Sequence, residues 1–153
     1  MFDELIAGAA GKYAVPESWI RAVIDVESAG RPTAYRAEPQ INDASYGLMQ
    51  LLESTARGLG FDGPVETLYD PAVNIDLGTR LLGQLRERWG ADFRRVYSAY
   101  NSGRPDLWST SAEVARNVAR ALEALAGYEA SAPVSGGVLL LAAVALYLWK
   151  RRG

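Results

Sequence analysis

The spacing of apolar residues along the chain predicts a protein built mainly from helices. The clearest pattern lies in residues 71–89, with Asp70 before it and Gly90 after it, which are typical helix-capping residues. Apolar residues four positions apart share one face of a helix. In this segment they are Val73, Leu77, Leu81 and Leu85. We therefore expect a long helix that is capped at both ends.

Similar patterns predict shorter helices on either side of this one. They are about Asp3–Tyr13, Glu17–Ser28 with Pro16 at its start, "LESTARGLG", "DFRRVYSAY" capped by Asp92, and "VARNVARALEALAG" after a capping box at Thr110–Glu113. Prolines and polar turn residues predict a loop after Ser28, and residues 33–46 hold at most a small β-hairpin. The predicted fold class is mainly α.

Near its C-terminus the sequence becomes uncharged and strongly apolar. Residues 130–149 carry no charge, and residues 138–149 are densely apolar before a basic tail at 150–153. Twenty helical residues span about 30 Å, the thickness of a bilayer's hydrocarbon core. The stretch is apolar on every face, which favours a transmembrane helix over a C-terminal core helix. We therefore divide the chain into a domain at 1–126, a linker at 127–137, the membrane segment and the tail.

The N-terminus leaves the membrane topology open. Its first fifteen residues contain acids and only a short apolar run, so they do not resemble a signal peptide. The positive-inside rule would place the basic tail in the cytoplasm and the domain outside.

Composition excludes several function classes. Apart from the three basic residues of the tail, 13 basic residues face 18 acidic ones, a net charge of −5, so nucleic acid is not expected as a partner. The absence of Cys and His excludes thiolate nucleophiles, Ser-His-Asp triads and the usual zinc sites. We predict no metal and no cofactor. For proton transfer near neutral pH, a carboxyl group with a displaced pKa is the main remaining candidate.

One glutamate stands where the helical pattern calls for an apolar residue. Glu27 lies four positions after Val23 and three after Ile24, on the same predicted face. Burial on an apolar face would raise the pKa of its carboxyl group and keep a proton available, as a general acid requires. The alternative is that Glu27 ends the apolar stripe and points to solvent. Periodicity alone leaves both open.

Three blocks then occur in a fixed order: "ES" at residues 27–28, "GLMQ" at 47–50 and "AYNSG" at 99–103. Together with "LYDPAVNIDLGTRLLGQL", they resemble the catalytic domain of lytic transglycosylases of the soluble type. This family belongs to the lysozyme-like superfamily and is related to goose-type lysozyme. The resemblance covers residues 13–103 and, more loosely, the chain to residue 127. It implies a lysozyme-like helical domain.

The resemblance also implies site residues. Glu27 matches the single catalytic acid/base. The implied substrate-binding residues are Ser45, Tyr46, Met49, Gln50, Tyr100 and Asn101. Without the resemblance, core packing is the favoured interpretation of both Met49 and Tyr100. The segment between residues 27 and 47 is longer than in many members, so Glu38 or Asp43 is a candidate second carboxylate. The alternative for Glu38 is a structural or solvated loop acid.

The implied function is non-hydrolytic cleavage of the β-1,4 bond between N-acetylmuramic acid and N-acetylglucosamine in peptidoglycan, giving anhydro-muropeptides. Alternatives are a muramidase that uses water, a non-catalytic wall-binding or virion protein, and a membrane scaffold. The expected partners are glycan strands, a lipid bilayer and other virion or membrane proteins. We expect a phage enzyme anchored in the virion membrane or the bacterial inner membrane, which degrades the wall locally during entry or lysis. A bacterial housekeeping or secretion-associated enzyme is the alternative.

Overall fold

The computed structural model describes residues 2–132. The predicted transmembrane core at 138–149 and the basic tail lie outside the described residues. Among residues 2–132, no helix combines the length and apolar character needed to cross a membrane. The prediction of a mainly helical domain is confirmed.

Six α-helices form the framework of the domain. They are α1 (Asp3–Tyr13), α2 (Glu17–Ser28), α3 (Glu53–Gly58), α4 (Pro71–Trp89), α5 (Phe93–Ser102) and α6 (Ala112–Ser131). Short 3₁₀ helices occur at Pro39–Ile41, Val65–Tyr69 and Leu107–Ser109. Helix α2 packs on α6, α1 on α4, and α5 on both α4 and α6. The helices α1, α2, α4 and α5 lie where the sequence predicts them.

The β-structure exceeds the predicted hairpin. Strands β1 (Tyr35–Glu38), β2 (Asp43–Tyr46) and β3 (Leu51–Leu52) form one antiparallel sheet in the order β1-β2-β3. Strand β3 pairs Leu52 with Ser45. The expectation of at most a hairpin was wrong because β3 is only two residues long, too short to show the alternation that marks a strand.

The helix caps follow the sequence with one shift. The Asp70 carboxylate accepts a hydrogen bond from the Ala72 N–H at 2.8 Å, as expected of an N-cap. At α6 the cap is Ser111, whose hydroxyl accepts from the Val114 N–H. The cap therefore lies one residue after the predicted Thr110, and the predicted capping box with Glu113 does not form, because Val114 occupies the third helical position. Helix α6 also continues to Ser131, into the segment predicted as a linker.

Two hydrophobic cores meet along α4. The larger core lies among the helices and includes the fully buried residues Ile20, Val23, Ile75, Leu82 and Val96. The smaller core lies beneath the sheet and contains Leu51, Ala56, Leu59, Leu68 and Leu77. Leu81 packs against the smaller core and Leu85 against the larger one, and both line an open cleft. The cleft therefore lies beside α4, where the two cores meet.

Candidate active site

The cleft encloses about 520 Å³ and is bordered by α2, α4, α5 and the sheet. Leu81 and Leu85 of α4 contribute apolar side chains to the lining, and Ile41 and Leu52 add others from the side of the sheet. The polar lining residues include Glu27, Arg36, Glu38, Gln40, Ser45, Gln50, Tyr100 and Asn101.

Glu27 lies in the last turn of α2 and faces the cleft. Its neighbours on the same helix face, Val23 and Ile24, are buried, so the predicted continuation of the apolar stripe is confirmed and the solvent-facing alternative is wrong. The residue as a whole is half-buried because one side borders the cleft, whereas protein atoms surround its carboxyl group.

This environment raises the pKa of the Glu27 carboxyl group above its ordinary value. Burial is the main cause, because it disfavours the charged form. A hydrogen bond from Tyr97, the charges of Arg36 and Arg120, and the Asn101 amide act in the opposite direction. Burial prevails over these four influences, so the carboxyl group keeps its proton to higher pH than an exposed glutamate.

Two stacked tyrosines lie on α5 beside Glu27, and one of them bonds its carboxyl group. The Tyr97 hydroxyl donates to Glu27 Oε1 at 2.8 Å, and the Tyr100 hydroxyl donates to the Met49 carbonyl oxygen at 2.7 Å. Their ring centroids are 6.4 Å apart with planes 12° from parallel. Burial, and then the negative charge of Glu27, raise the pKa of both phenols, so both remain hydrogen-bond donors at neutral pH.

Sequence reasoning identified Tyr100 but missed Tyr97. Tyr97 is fully buried, which is compatible with simple core packing. The available signal was its position three residues before Tyr100, which places both hydroxyl groups on one face of a helix.

Asn101 borders the cleft where α5 ends. Its Oδ1 atom accepts from Asn117 Nδ2 on α6, at 3.4 Å. Gly103 follows with a φ of 74°, and its N–H donates to the Ala99 carbonyl oxygen at 2.7 Å, which closes the helix. The helix terminus therefore holds the Asn101 amide beside Glu27.

Gln50 and Ser45 complete the predicted residues that reach the cleft. Gln50 has a φ of 46°, and its Nε2 atom donates to the carbonyl oxygens of Gly47 at 3.0 Å and Ala34 at 3.2 Å. These bonds leave the Oε1 atom of Gln50 available to a ligand. Ser45 is nearly buried in β2 and contributes to the wall.

Met49 and Tyr46 are the two predicted binding residues that do not line the cleft, and their part in binding stays a prediction. The Met49 side chain is fully buried and lies against Gly78 of α4. Tyr46 packs its ring against those of Tyr35 and Tyr69, with both centroid distances 5.5 Å. Successive residues of a strand point to opposite faces, so Ser45 and Tyr46 cannot both face the cleft.

A buried asparagine holds the turn between β2 and β3. Asn74 on α4 accepts from the Met49 N–H at 2.7 Å, and its Nδ2 atom donates to the carbonyl oxygens of Tyr46 at 2.9 Å and Leu68 at 2.8 Å. Gly47 has a φ of 74°, and a Cβ there would overlap the Asn74 amide. This support was also missed, although an asparagine among apolar helix residues was a visible signal.

The two candidate second carboxylates have different positions. Glu38 lines the cleft, where it accepts hydrogen bonds from Arg36 Nε and, at 2.7 Å, from Gln40 Nε2. Asp43 lies outside the cleft and accepts from the N–H groups of Ala44 and Ser54. Within residues 2–132, no group of three or more acidic residues is arranged to hold a metal ion.

Comparison with solved structures shows the same fold in a larger protein. The lytic transglycosylase Slt of Pseudomonas aeruginosa matches with a TM-score of 0.67 and 24% sequence identity, over 80% of this chain and 23% of that one.

Sequence relatives include bacterial and phage proteins. The membrane-bound lytic murein transglycosylase E of Buchnera aphidicola is 37% identical over 95 residues, which cover 58% of this chain and 41% of the relative. The transglycosylase of Enterobacteria phage PRD1 is 33% identical over 100 residues, covering 65% and 34% of the two chains. The chain thus spans less than half the length of these relatives.

A family model describes most of the domain. The model of the transglycosylase SLT domain matches residues 4–123, a range that contains Glu27, the turn at residues 47–50 and all of α5. The chain therefore belongs to the transglycosylase SLT domain family.

Proposed function

We propose that the protein is a peptidoglycan lytic transglycosylase that cleaves the β-1,4 bond between N-acetylmuramic acid and N-acetylglucosamine without water. The observation that carries this proposal is Glu27, a carboxyl group with a raised pKa at the wall of an open polar cleft. Membership of the SLT family supports the substrate class, since relatives are named as murein transglycosylases.

In the first half of the reaction, Glu27 donates its proton to the glycosidic oxygen. The bond between that oxygen and the anomeric carbon breaks, and its electron pair goes to the leaving sugar. The acetamido oxygen of the muramic acid attacks the anomeric carbon and stabilises the positive charge. A substrate group of this kind replaces the second carboxylate of ordinary glycosidases.

In the second half, the Glu27 carboxylate takes the proton of the muramic acid's own C6 hydroxyl group. The C6 oxygen displaces the acetamido oxygen and closes an anhydro ring, and Glu27 is again protonated. An attacking group in the same molecule has a high effective molarity, which favours it over water. The Tyr97 hydroxyl group stabilises the intermediate carboxylate and fixes its orientation.

Mass spectrometry of the products tests this proposal. The purified chain should release muropeptides that end in anhydro sugars, and Glu27→Gln should release none above background. Glu53→Gln, at an exposed glutamate on α3 paired with Arg57, is the matched control and should remain active. Products heavier by one water would instead identify a muramidase. Binding to the wall without any released products would identify a non-catalytic protein.

For the biological setting, we propose local wall degradation as a phage enters or lyses its host. The phage PRD1 transglycosylase among the relatives supports this setting. The uncharged segment at residues 130–149 supports a membrane anchor. Fractionation tests both points: the protein should be found in purified phage particles or in host membranes, and recovery only in the soluble fraction would contradict the anchor.

A further inference from the structure

A cationic side chain stands in the cleft without a role in the proposed chemistry. Arg36 projects from β1, one of the two edge strands of the sheet, and lines the same cleft as Glu27. Its side chain is 62% exposed. It lies near enough to Glu27 for its charge to act on that carboxyl group.

Glu38 fixes the orientation of this guanidinium group. One Glu38 oxygen accepts from Arg36 Nε, and the other accepts from Gln40 Nε2 at 2.7 Å. The Glu38 side chain is only 13% exposed. Because one of its oxygens accepts from Arg36 and the other from Gln40, Glu38 supports the guanidinium group in this position.

This arrangement leaves the outer part of the guanidinium group free. Arg36 uses only Nε within residues 2–132, so its two terminal nitrogens have no hydrogen-bond partner there. Two parallel N–H groups of arginine match the two oxygens of a carboxylate. The group is also exposed enough to receive a ligand from the cleft.

We propose that the terminal nitrogens of Arg36 bind a carboxylate of the peptide attached to the glycan, so that Arg36 determines a preference for strands whose peptides carry free carboxylates. This inference rests on the proposed function. The sugar rings of such strands offer hydroxyl and acetamido groups, which are uncharged, whereas the attached peptides carry free carboxylates. Arg36 lies on β1, which has no further strand beside it among residues 2–132, so no strand covers this side of the cleft.

A comparison of two substrates tests the inference with the full chain. One is a short glycan oligomer with peptides whose carboxylates are free, and the other is the same oligomer with those carboxylates converted to amides. The wild-type enzyme should show a kcat/KM about tenfold higher for the free-acid form, mainly through a lower KM. A tenfold ratio corresponds to about 1.4 kcal/mol.

Variants then assign the preference to Arg36. Arg36→Gln should reduce the ratio of the two kcat/KM values to about one, and Arg36→Lys should retain part of it because the charge remains without the paired donors. Arg57→Gln, at an arginine outside the cleft, should keep the full ratio and is the matched control. Circular dichroism checks that each variant is folded.

Three results would overturn the inference. The first is that the wild-type enzyme has equal kcat/KM values for the two substrates. The second is that the preference for the free-acid substrate survives in Arg36→Gln. The third is that Arg36→Gln lowers kcat/KM equally on both substrates and leaves their ratio unchanged. The last result would mean that Arg36 acts through Glu27 or through the fold. Failure of the wild-type enzyme to cleave either substrate would instead contradict the proposed function, so the two failures are distinguishable.

Discussion

The pKa of Glu27 is raised because the last turn of α2 carries its carboxyl group into the protein rather than into water. The position was predictable from Val23 and Ile24, since these residues define a helix face that Glu27 continues. Tyr97 was not predictable in the same way. A buried tyrosine in a helix usually signals packing, and only the folded structure brings its hydroxyl group to within 2.8 Å of Glu27 Oε1.

The raised pKa of Glu27 has a consequence for stability. Between the ordinary value of 4.5 and the raised value, the folded state binds more protons than the unfolded state. The free energy of unfolding therefore falls as pH rises through this window, by about 1.4 kcal/mol for each unit of displacement. The stabilisation is complete below the ordinary pKa and is lost at higher pH.

We therefore expect Glu27→Gln to be more stable than the wild type at pH 7 and to lose this advantage below pH 4.5. Thermal unfolding at the two pH values measures it. Glu53→Gln on the exposed face of α3 should show no such pH-dependent gain. An equal gain at both pH values would mean that the effect comes from packing and not from the proton.

Removal of the Tyr97 hydroxyl group should change the pH dependence of activity. Its hydrogen bond favours the Glu27 carboxylate, so Tyr97→Phe should raise the pKa of Glu27 further. The alkaline limb of the kcat/KM profile reports this pKa and should move to higher pH. We also expect kcat to fall by at least about tenfold, because hydrogen bonds to charged groups contribute about 1.5–3 kcal/mol.

Tyr69→Phe is the control for this experiment, because Tyr69 packs on Tyr46 and makes no contact with Glu27. It should leave the alkaline limb in place. If the alkaline limb of the kcat/KM profile also stays in place in Tyr97→Phe, the Tyr97 hydrogen bond does not stabilise the carboxylate.

At the scale of the element, α4 has two buried faces. The predicted stripe of Leu77 and Leu81 packs against the smaller core, while Ile75 and Leu82 pack against the larger one. Between these two faces lie Asn74 and other small or polar residues, which are buried but do not belong to a single apolar stripe. The sequence therefore predicted the helix with its caps but not its role in supporting the 47–50 turn.

The sheet was predicted less completely for a physical reason. A helix reveals itself over ten or more residues through its period, whereas β3 has two residues and depends on its pairing with β2. That pairing is long-range, and the turn that permits it depends on the left-handed backbone of Gly47 and Gln50. A glutamine at position 50 gives no indication in the sequence of a left-handed backbone.

Asn74→Ala should destabilise the domain strongly. The change leaves the Met49 N–H and the carbonyl oxygens of Tyr46 and Leu68 without this partner. Buried polar groups left unpaired cost about 1–3 kcal/mol each, so we expect a loss of at least about 3 kcal/mol in chemical denaturation. Asn117→Ala, which removes one long hydrogen bond, should cost less than 1.5 kcal/mol, about the value of one such bond. Similar losses in both would contradict this role of Asn74.

Gly78 and Gly8 offer a paired test of the packing around Met49. Both are helical glycines, but a Cβ at Gly78 would overlap the Met49 side chain, whereas Gly8 has open space around it. Gly8→Ala should stabilise by about 0.5–1 kcal/mol. Gly78→Ala should destabilise by about 1–3 kcal/mol. Urea denaturation measures both, and a gain in stability for Gly78→Ala would contradict the packing described.

At the scale of the whole molecule, function depends on where the two cores meet. The seam between them places Glu27, Gln50 and Asn101 around one cleft, although they are far apart in the chain. The absence of Cys and His left a carboxyl group as the main candidate for proton transfer, and three motif blocks indicated the family. The motifs did not show which side chains of the 45–50 segment face the cleft, because strand alternation and the Asn74 contacts decide that.

The most direct measurement of the central claim is an NMR titration of the Glu27 side-chain carboxyl carbon in the active enzyme. The structure predicts a pKa above 4.5, with the signal assigned by its loss in Glu27→Gln. A pKa of 4.5 or below, in enzyme that still cleaves glycan at neutral pH, would contradict the assignment of Glu27 as the proton donor held by burial.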